Sequence, residues 1–183
     1  LAGKHVYCEK MMAVTLEEGK ELYRLAKEKN VQYTIAPDTF LGSSWQTARK
    51  ALDVGIIGTP VAVTCCYASN YQFDSEMADM NPDNFAFVLH PGGGIPFDFG
   101  GYYLHNMIHL LGPVQRVGGC CKTMYPDRIF RNPRHPQYKE PVQVKTPTSI
   151  AGALEFESGV HGTLMITSDS AFRFVFQIMG TQG

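Results

Sequence analysis

The sequence predicts an α/β (α+β) chain in two parts: the end of a doubly wound, parallel-sheet domain, then a region with an open, mainly antiparallel β-sheet and helices on one face. Two observations carry this reading. A strand, a helix and a second strand follow one another within residues 5–35, and such a βαβ unit makes parallel partners. Beyond residue 111, strand-like stretches succeed one another with turn residues between them, as antiparallel sheets do. The expected boundary falls after residue 37, giving regions 1–37 and 38–183.

His5-Val6-Tyr7-Cys8 is the first extended stretch, followed at once by Glu9-Lys10. Thr15-Leu16-Glu17-Glu18 has the form of a capping box, and Leu16, Leu22, Leu25 and Ala26 recur at helical spacing through Lys29. Asn30 suits the helix end, Val31–Ile35 reads as a strand, and Pro37 closes it. Two strands do not make a covered parallel sheet, so the rest of this domain is expected to precede Leu1, with a partner chain supplying it as the weaker alternative. A second helix is predicted over Ser44–Val54, with Ser43 or Ser44 as cap and Gly55 just past its end. Val61–Tyr67 follows as a strand.

Ala68–Pro91 is polar, bears Pro and Asn, and holds Met77-Ala78-Asp79-Met80. It is predicted to be a long loop, and a loop of that length in a compact domain more often has a function than none, so specificity is expected there. Gly92-Gly93-Gly94 then leads into a helix over Asp98–Leu111. Strands are predicted at Val114–Cys121, Val142–Thr146, Ile150–Phe156, Gly159–Thr167 and Phe172–Met179. Gly180–Gly183 comes directly after the last of these, so the sheet is expected to be cut short there.

With 44% hydrophobic and 18% charged residues and a formal net charge of -1, the chain has the composition of a globular protein able to form a core. The charges are spread along the chain, which argues against nucleic acid and anionic membrane as partners. Apolar runs fall far short of the roughly 20 residues of a membrane span, and the first residues lack a signal-peptide layout, so a cytoplasmic protein is expected. Of the five cysteines, four form the adjacent pairs Cys65-Cys66 and Cys120-Cys121. On strands such neighbours point to opposite faces and cannot hold one metal together, so free buried thiols are expected.

Asp98, Tyr102, His105 and His109 are spaced four, three and four apart, which puts a carboxylate, a phenol and two imidazoles in one narrow stripe of a helix. These groups form hydrogen bonds and transfer protons. The alternative is the wet face of an amphipathic helix, but Lys and Glu, its usual residents, are absent from this one. His105 and His109 have the i,i+4 spacing of a zinc pair, yet the glutamate that a zinc-protease helix needs after its first histidine is missing, so no metal is expected. Lys10 stands at the C-terminal end of a strand, where ligands bind in open α/β sheets; an ordinary surface lysine is the competing reading. Gly92-Gly93-Gly94 is not a dinucleotide fingerprint, since Phe97 stands where the third glycine belongs. Gly94 is instead expected to let backbone approach a ligand closely. Gln46 and Arg49 on the preceding helix are candidates to reach a polyol, with plain surface exposure the competing reading.

Taken together, Ala2-Gly3-Lys4-His5-Val6-Tyr7-Cys8-Glu9-Lys10, Gly55-Ile56-Ile57-Gly58-Thr59-Pro60 and Gly92-Gly93-Gly94 through Tyr102 resemble the Gfo/Idh/MocA oxidoreductases. The resemblance covers nearly the whole chain, with three motifs in order. It implies that residues 1–37 are the C-terminal portion of a Rossmann domain and that residues 38–183 form a substrate and oligomerisation domain, with a homo-oligomer built through the open sheet. It also implies NAD or NADP as cofactor, with the main pyrophosphate loop upstream of Leu1 and this fragment alone inactive. In the family, the lysine of a Glu-Lys-Pro motif lies beside the nicotinamide; the matching positions are Glu9 and Lys10, with Met11 in place of proline. Many members then carry Asp-x-Gly-x-His-x-x-Asp, where this chain has Asp98, Gly100, Tyr102 and His105. A tyrosine at the first histidine position also occurs in glucose-fructose oxidoreductase and the dihydrodiol dehydrogenases.

The resemblance therefore implies hydride transfer between a sugar-like or polyol carbinol and a nicotinamide. Lys10, Tyr102 and Asp98 are the expected catalytic residues, with His105, Gln46 and Gly94 binding substrate and Glu9 and Lys10 facing the cofactor. An unperturbed phenol titrates near 10, so Tyr102 needs a cation beside it to act near neutrality. Two other readings are an NAD-dependent glycosidase of the same family and a non-catalytic sugar-binding or assembly module.

Overall fold

The computed structural model describes residues 3–36, 38–70, 89–130, 133 and 135–183. Strand β1 (Val6–Cys8) and strand β2 (Tyr33–Ile35) pair in parallel, with Val6 opposite Tyr33 and Cys8 opposite Ile35. Helix α1 (Leu16–Glu28) connects them. Its N-terminus is the expected capping box: Thr15 Oγ1 accepts from the Glu18 N–H, and the Glu18 carboxylate accepts from the Thr15 N–H. Asn30 ends the helix at φ 50°, a left-handed conformation that asparagine tolerates. Leu22, Leu25 and Ala26 are half-buried, and no residue of α1 is fully buried. Pro37 lies outside the described residues.

A 3-10 turn, Thr39–Leu41, leads into helix α2 (Ser43–Asp53). The cap of α2 is Gly42, with no side-chain hydrogen bond, so neither Ser43 nor Ser44 caps the helix as expected. Strand β3 (Pro60–Asn70) runs three residues beyond its predicted end, and of the predicted loop, residues 71–88, including Met77 to Met80, lie outside the described residues.

Helix α3 (Ile95–Leu111) starts three residues before its expected N-terminus. Pro96 stands in the first turn, where its missing N–H would have had no helical partner in any case. Gly94 caps the helix at φ 84° and ψ 159°, a conformation open in practice to glycine alone. A Cβ there would meet Thr146 Cγ2 at 2.9 Å and the Pro147 carbonyl oxygen at 3.3 Å. The turn is permissive, as expected, but the close approach is to the protein's own chain.

Strands β4 (Val114–Lys122), β5 (Asp127–Ile129), β6 (Pro141–Gln143), β7 (Ser149–Phe156), β8 (His161–Thr167) and β9 (Asp169–Gly180) complete the fold. The main sheet has the order β4-β7-β8-β3-β9, antiparallel at every pairing except β3 with β8. Residues Val142–Gln143 belong to a separate two-stranded hairpin with β5, while Val144, Thr146 and Thr148 are buried, Val144 in a small cluster with Leu89 and Phe130.

Among the described residues the sheet is covered on one face. Val63 and Cys65 of β3, Leu154 and Phe156 of β7 and the following Val160 meet Met107, Leu110 and Leu111 of α3 in the main core. Trp45 of α2 packs edge-on against Phe176 of β9 at 4.7 Å. Strand alternation leaves Thr64, Thr163, Met165 and Gln177 on the other face. The thiols divide accordingly: Cys65 is buried and its thiol is pushed up to about 12 by burial, whereas Cys120 and Cys121 are exposed, not buried as expected. Among the described residues no helix is long and apolar enough to cross a membrane.

Candidate active site

Lys10 lies two residues past the end of β1, and its side chain crosses to the first turn of α3. Nζ donates to Asp98 Oδ1 and, at 3.0 Å, to the Asp98 carbonyl oxygen. The two side chains are 15% and 24% exposed, so solvent screens this pair less than a surface pair. The N-terminal end of a helix also favours a carboxylate. Tyr102, one turn on, presents its ring to the same ammonium, 4.9 Å from Nζ to the ring centroid. The structure thus joins Lys10, Asp98 and Tyr102, three residues expected to act together.

Two adjacent glycines make this approach possible. A Cβ on Gly101 would meet Met11 Sδ at 3.1 Å, and one on Gly100 would meet Ile166 Cδ1 at 3.2 Å. Glycine in a helix interior costs up to ~1 kcal/mol relative to alanine. Here the pair lets α3 pass between the Lys10–Met12 segment on one side and the sheet on the other.

His105 lines a cavity of about 370 Å³ together with Lys10, Met11, Met12, Ile35 and Leu104. Phe40 of the 3-10 turn stacks on the His105 ring at 4.7 Å and meets the His109 ring at 5.1 Å. The predicted stripe therefore divides: His105 stays with Lys10, while His109 lines a second cavity with Arg49. Behind the site, Tyr67 stacks on Phe99 at 4.6 Å, and burial pushes the hydroxyls of Tyr67 and Tyr103 up, keeping both protonated.

Burial, and next the neighbouring His109, hold the His105 imidazole below its ordinary value of 6.5. The unfolded chain then binds the proton more readily, so stability is full above about 6.5 and falls as pH drops through that value toward the folded one. Thermal midpoints measured from pH 7.5 to 5.5 should fall less in His105→Phe, which keeps the stack on Phe40, than in the unaltered protein.

The other predicted site residues take different positions. Glu9 accepts the Lys10 N–H at 3.2 Å and shapes the turn. Gln46 donates to the Phe40 carbonyl at 2.7 Å, and Arg49 donates to the Leu110 carbonyl at 2.6 Å and pairs with Asp53, so both amide and guanidinium serve the scaffold. Gly94 faces Thr146 and Pro147. The sequence reading missed Thr39, Phe40 and Asn106, which gather beside Tyr102 and His105; the one available signal was an amide placed four residues after Tyr102, between His105 and the apolar Met107-Ile108.

Comparison with known proteins decides the family. Residues 45–183 match the GFO/IDH/MocA C-terminal domain, and residues 1–36 match the oxidoreductase family, NAD-binding Rossmann fold. The chain belongs to the Gfo/Idh/MocA oxidoreductases. Among its Gfo/Idh/MocA relatives, levoglucosan dehydrogenase of Pseudarthrobacter phenanthrenivorans is 26% identical over 100% of this chain and 48% of its own length. An uncharacterized oxidoreductase of Schizosaccharomyces pombe is 32% identical over 63% of this chain and 30% of its own. The chain thus spans no more than about half the length of these curated relatives. An NAD binding oxidoreductase from Klebsiella pneumoniae shares the fold, with a TM-score of 0.79 at 24% identity over 98% of this chain and 46% of that one. Levoglucosan dehydrogenase in complex with NADH and levoglucosan does so with a TM-score of 0.79 at 22% identity, over 98% and 46%.

The residues here fit the nicotinamide end of such a cofactor. Lys10 stands at the C-terminal edge of a parallel pair, and the adjoining cavity offers thioether and aliphatic walls with Lys10 and His105 as its polar groups. Such walls suit a planar, amide-bearing ring.

Proposed function

We propose that this chain supplies the reacting side of an NAD- or NADP-dependent dehydrogenase acting on a sugar, polyol or related carbinol. The observation that carries this is the convergence of Lys10, Asp98 and Tyr102 at the edge of a parallel strand pair. Residues 1–37 serve as the end of the dinucleotide-binding domain, and residues 38–183 hold the substrate. The outer face of the sheet, bare among the described residues, supports assembly with further copies of the chain, and five unpaired thiols suit a reducing, cytoplasmic setting.

When bound, the nicotinamide supplies the hydride acceptor for a substrate carbinol carbon. Tyr102 exchanges the proton of the substrate hydroxyl. Lys10 donates a hydrogen bond to the same oxygen and stabilises the negative charge that develops there. Asp98 orients Nζ through its Oδ1 and its carbonyl. His105, at the cavity wall, donates to a neighbouring substrate hydroxyl. That sugars are the substrate class is supported by relatives described as levoglucosan dehydrogenase and D-xylose dehydrogenase.

Tyr102→Phe in the full-length protein tests the assignment. With a sugar substrate and either nicotinamide cofactor, kcat should fall by about 10²–10⁴-fold while cofactor affinity holds. An unchanged rate removes Tyr102 from the mechanism. Sugar release without net change in NADH absorbance would instead assign the site to transient oxidation and glycoside cleavage.

A further inference from the structure

The segment between Ala36 and Ser43 joins the strand pair that positions Lys10 to the helices that carry Asp98 and Tyr102. Asn106, 1% exposed, holds it from α3: Nδ2 donates to the Tyr102 carbonyl at 2.9 Å and to Thr39 Oγ1 at 3.2 Å. Gln46 holds the same segment from α2 through the Phe40 carbonyl at 2.7 Å. The Phe40 ring lies on His105. A carbonyl oxygen can only accept, so the NH2 of Asn106 must face Tyr102, and its Oδ1 is left buried without a partner among the described residues. The helix does not need this amide, because the Tyr102 carbonyl already has the backbone N–H four residues on as its donor. Leucine would fill the same space with no orphaned acceptor. An amide kept at this cost to the fold is doing something other than packing.

We propose that Asn106 is a positioning residue, which ties the 3-10 turn to α3 one turn beyond Tyr102 and so fixes where Lys10 stands relative to the phenol. The connection is short. Thr39 lies four residues past Ile35, Ile35 is in register with Cys8, and the Ala36 N–H donates to the Cys8 carbonyl at 3.0 Å, two residues before Lys10. A shift of Thr39 is therefore passed along β2 and β1 to Lys10. Misplacement by about 1 Å can cost up to about a hundredfold in rate.

This rests on the dehydrogenase reading, and the test separates the two. Asn106→Leu and Thr39→Val remove the tie from its two ends in the full-length protein; the second, a near-isosteric change at a half-buried residue, serves if the first does not fold. Each should lower kcat about tenfold at unchanged KM for the nicotinamide, the double variant should lose no more than the single ones, and Asn106→Leu should melt no lower than the unaltered protein. The amides of Leu41 and Gly42, which bond to the Asp38 and Thr39 carbonyls at 2.9 Å each, should exchange hydrogen faster in both. Unchanged kcat in both variants, unchanged exchange at Leu41 and Gly42, or a rate loss matched by lost folded stability overturns the proposal. If the unaltered protein oxidises no carbinol, the dehydrogenase reading falls, and faster exchange in both variants still supports the tie.

Discussion

Lys10→Met should abolish nearly all turnover, lowering kcat/KM by about 10²–10⁴-fold. Methionine keeps the length and apolar stem of lysine and removes only the charge and the donor, so packing against α3 survives. Lost are the hydrogen bonds to Asp98 and the ammonium beside the Tyr102 ring. Because Asp98 acts through Lys10, Asp98→Asn added to Lys10→Met should cost little more than Lys10→Met alone. Steady-state kinetics on the two single variants and the double one, with cofactor binding followed by fluorescence, reads this directly. Additive losses would mean that Asp98 touches substrate independently.

The largest effect on stability is expected at Phe156. It is 1% exposed, at the end of β7, among Val63, Leu154 and Val160, and its backbone closes the turn into β8 through the bond from its N–H to the Val160 carbonyl at 2.9 Å. Its ring is so closely packed that a Cβ on Gly162 would meet Cε2 at 3.1 Å. Phe156→Ala should cost about 3–5 kcal/mol in chemical denaturation, since strands on both sides hold the cavity open. That is a large part of the roughly 5–15 kcal/mol that holds a domain folded. Phe172, 73% exposed on β9, is the control, and Phe172→Ala should stay within about 0.5 kcal/mol.

How far the sequence could be read followed from the range of the interactions. The capping box at Thr15 and Glu18 is a contact over three residues, and it stands as expected. Asp98 and Tyr102 lie one turn apart on a helix, so their shared face was visible in their spacing; that Lys10 meets them depends on an ion pair spanning 88 positions, and was reached through family resemblance. Gln46 and Gly94 were assigned to substrate from their residue types, but the Phe40 carbonyl and Thr146, which decide what they do, are tertiary neighbours. The β5–β6 hairpin has three residues per strand, too few for alternation to register. The role of Asn106 was hidden for the same reason as that of Gln46, because its second partner, Thr39, is 67 positions away.

Gly100 and Gly101 bear on any attempt to make this protein withstand heat. Glycines inside helices are among the first positions to be exchanged for alanine when thermal tolerance is sought, because the stiffer backbone favours the folded chain. In α3 the added methyl groups would press on the Ile166 methyl on one side and the Met11 thioether on the other, so each neighbour must give by a few tenths of an ångström, the second beside Lys10 itself. Heat tolerance and turnover therefore pull against each other at these two residues, and a hardened variant should take its changes from the solvent side of α1 and α2.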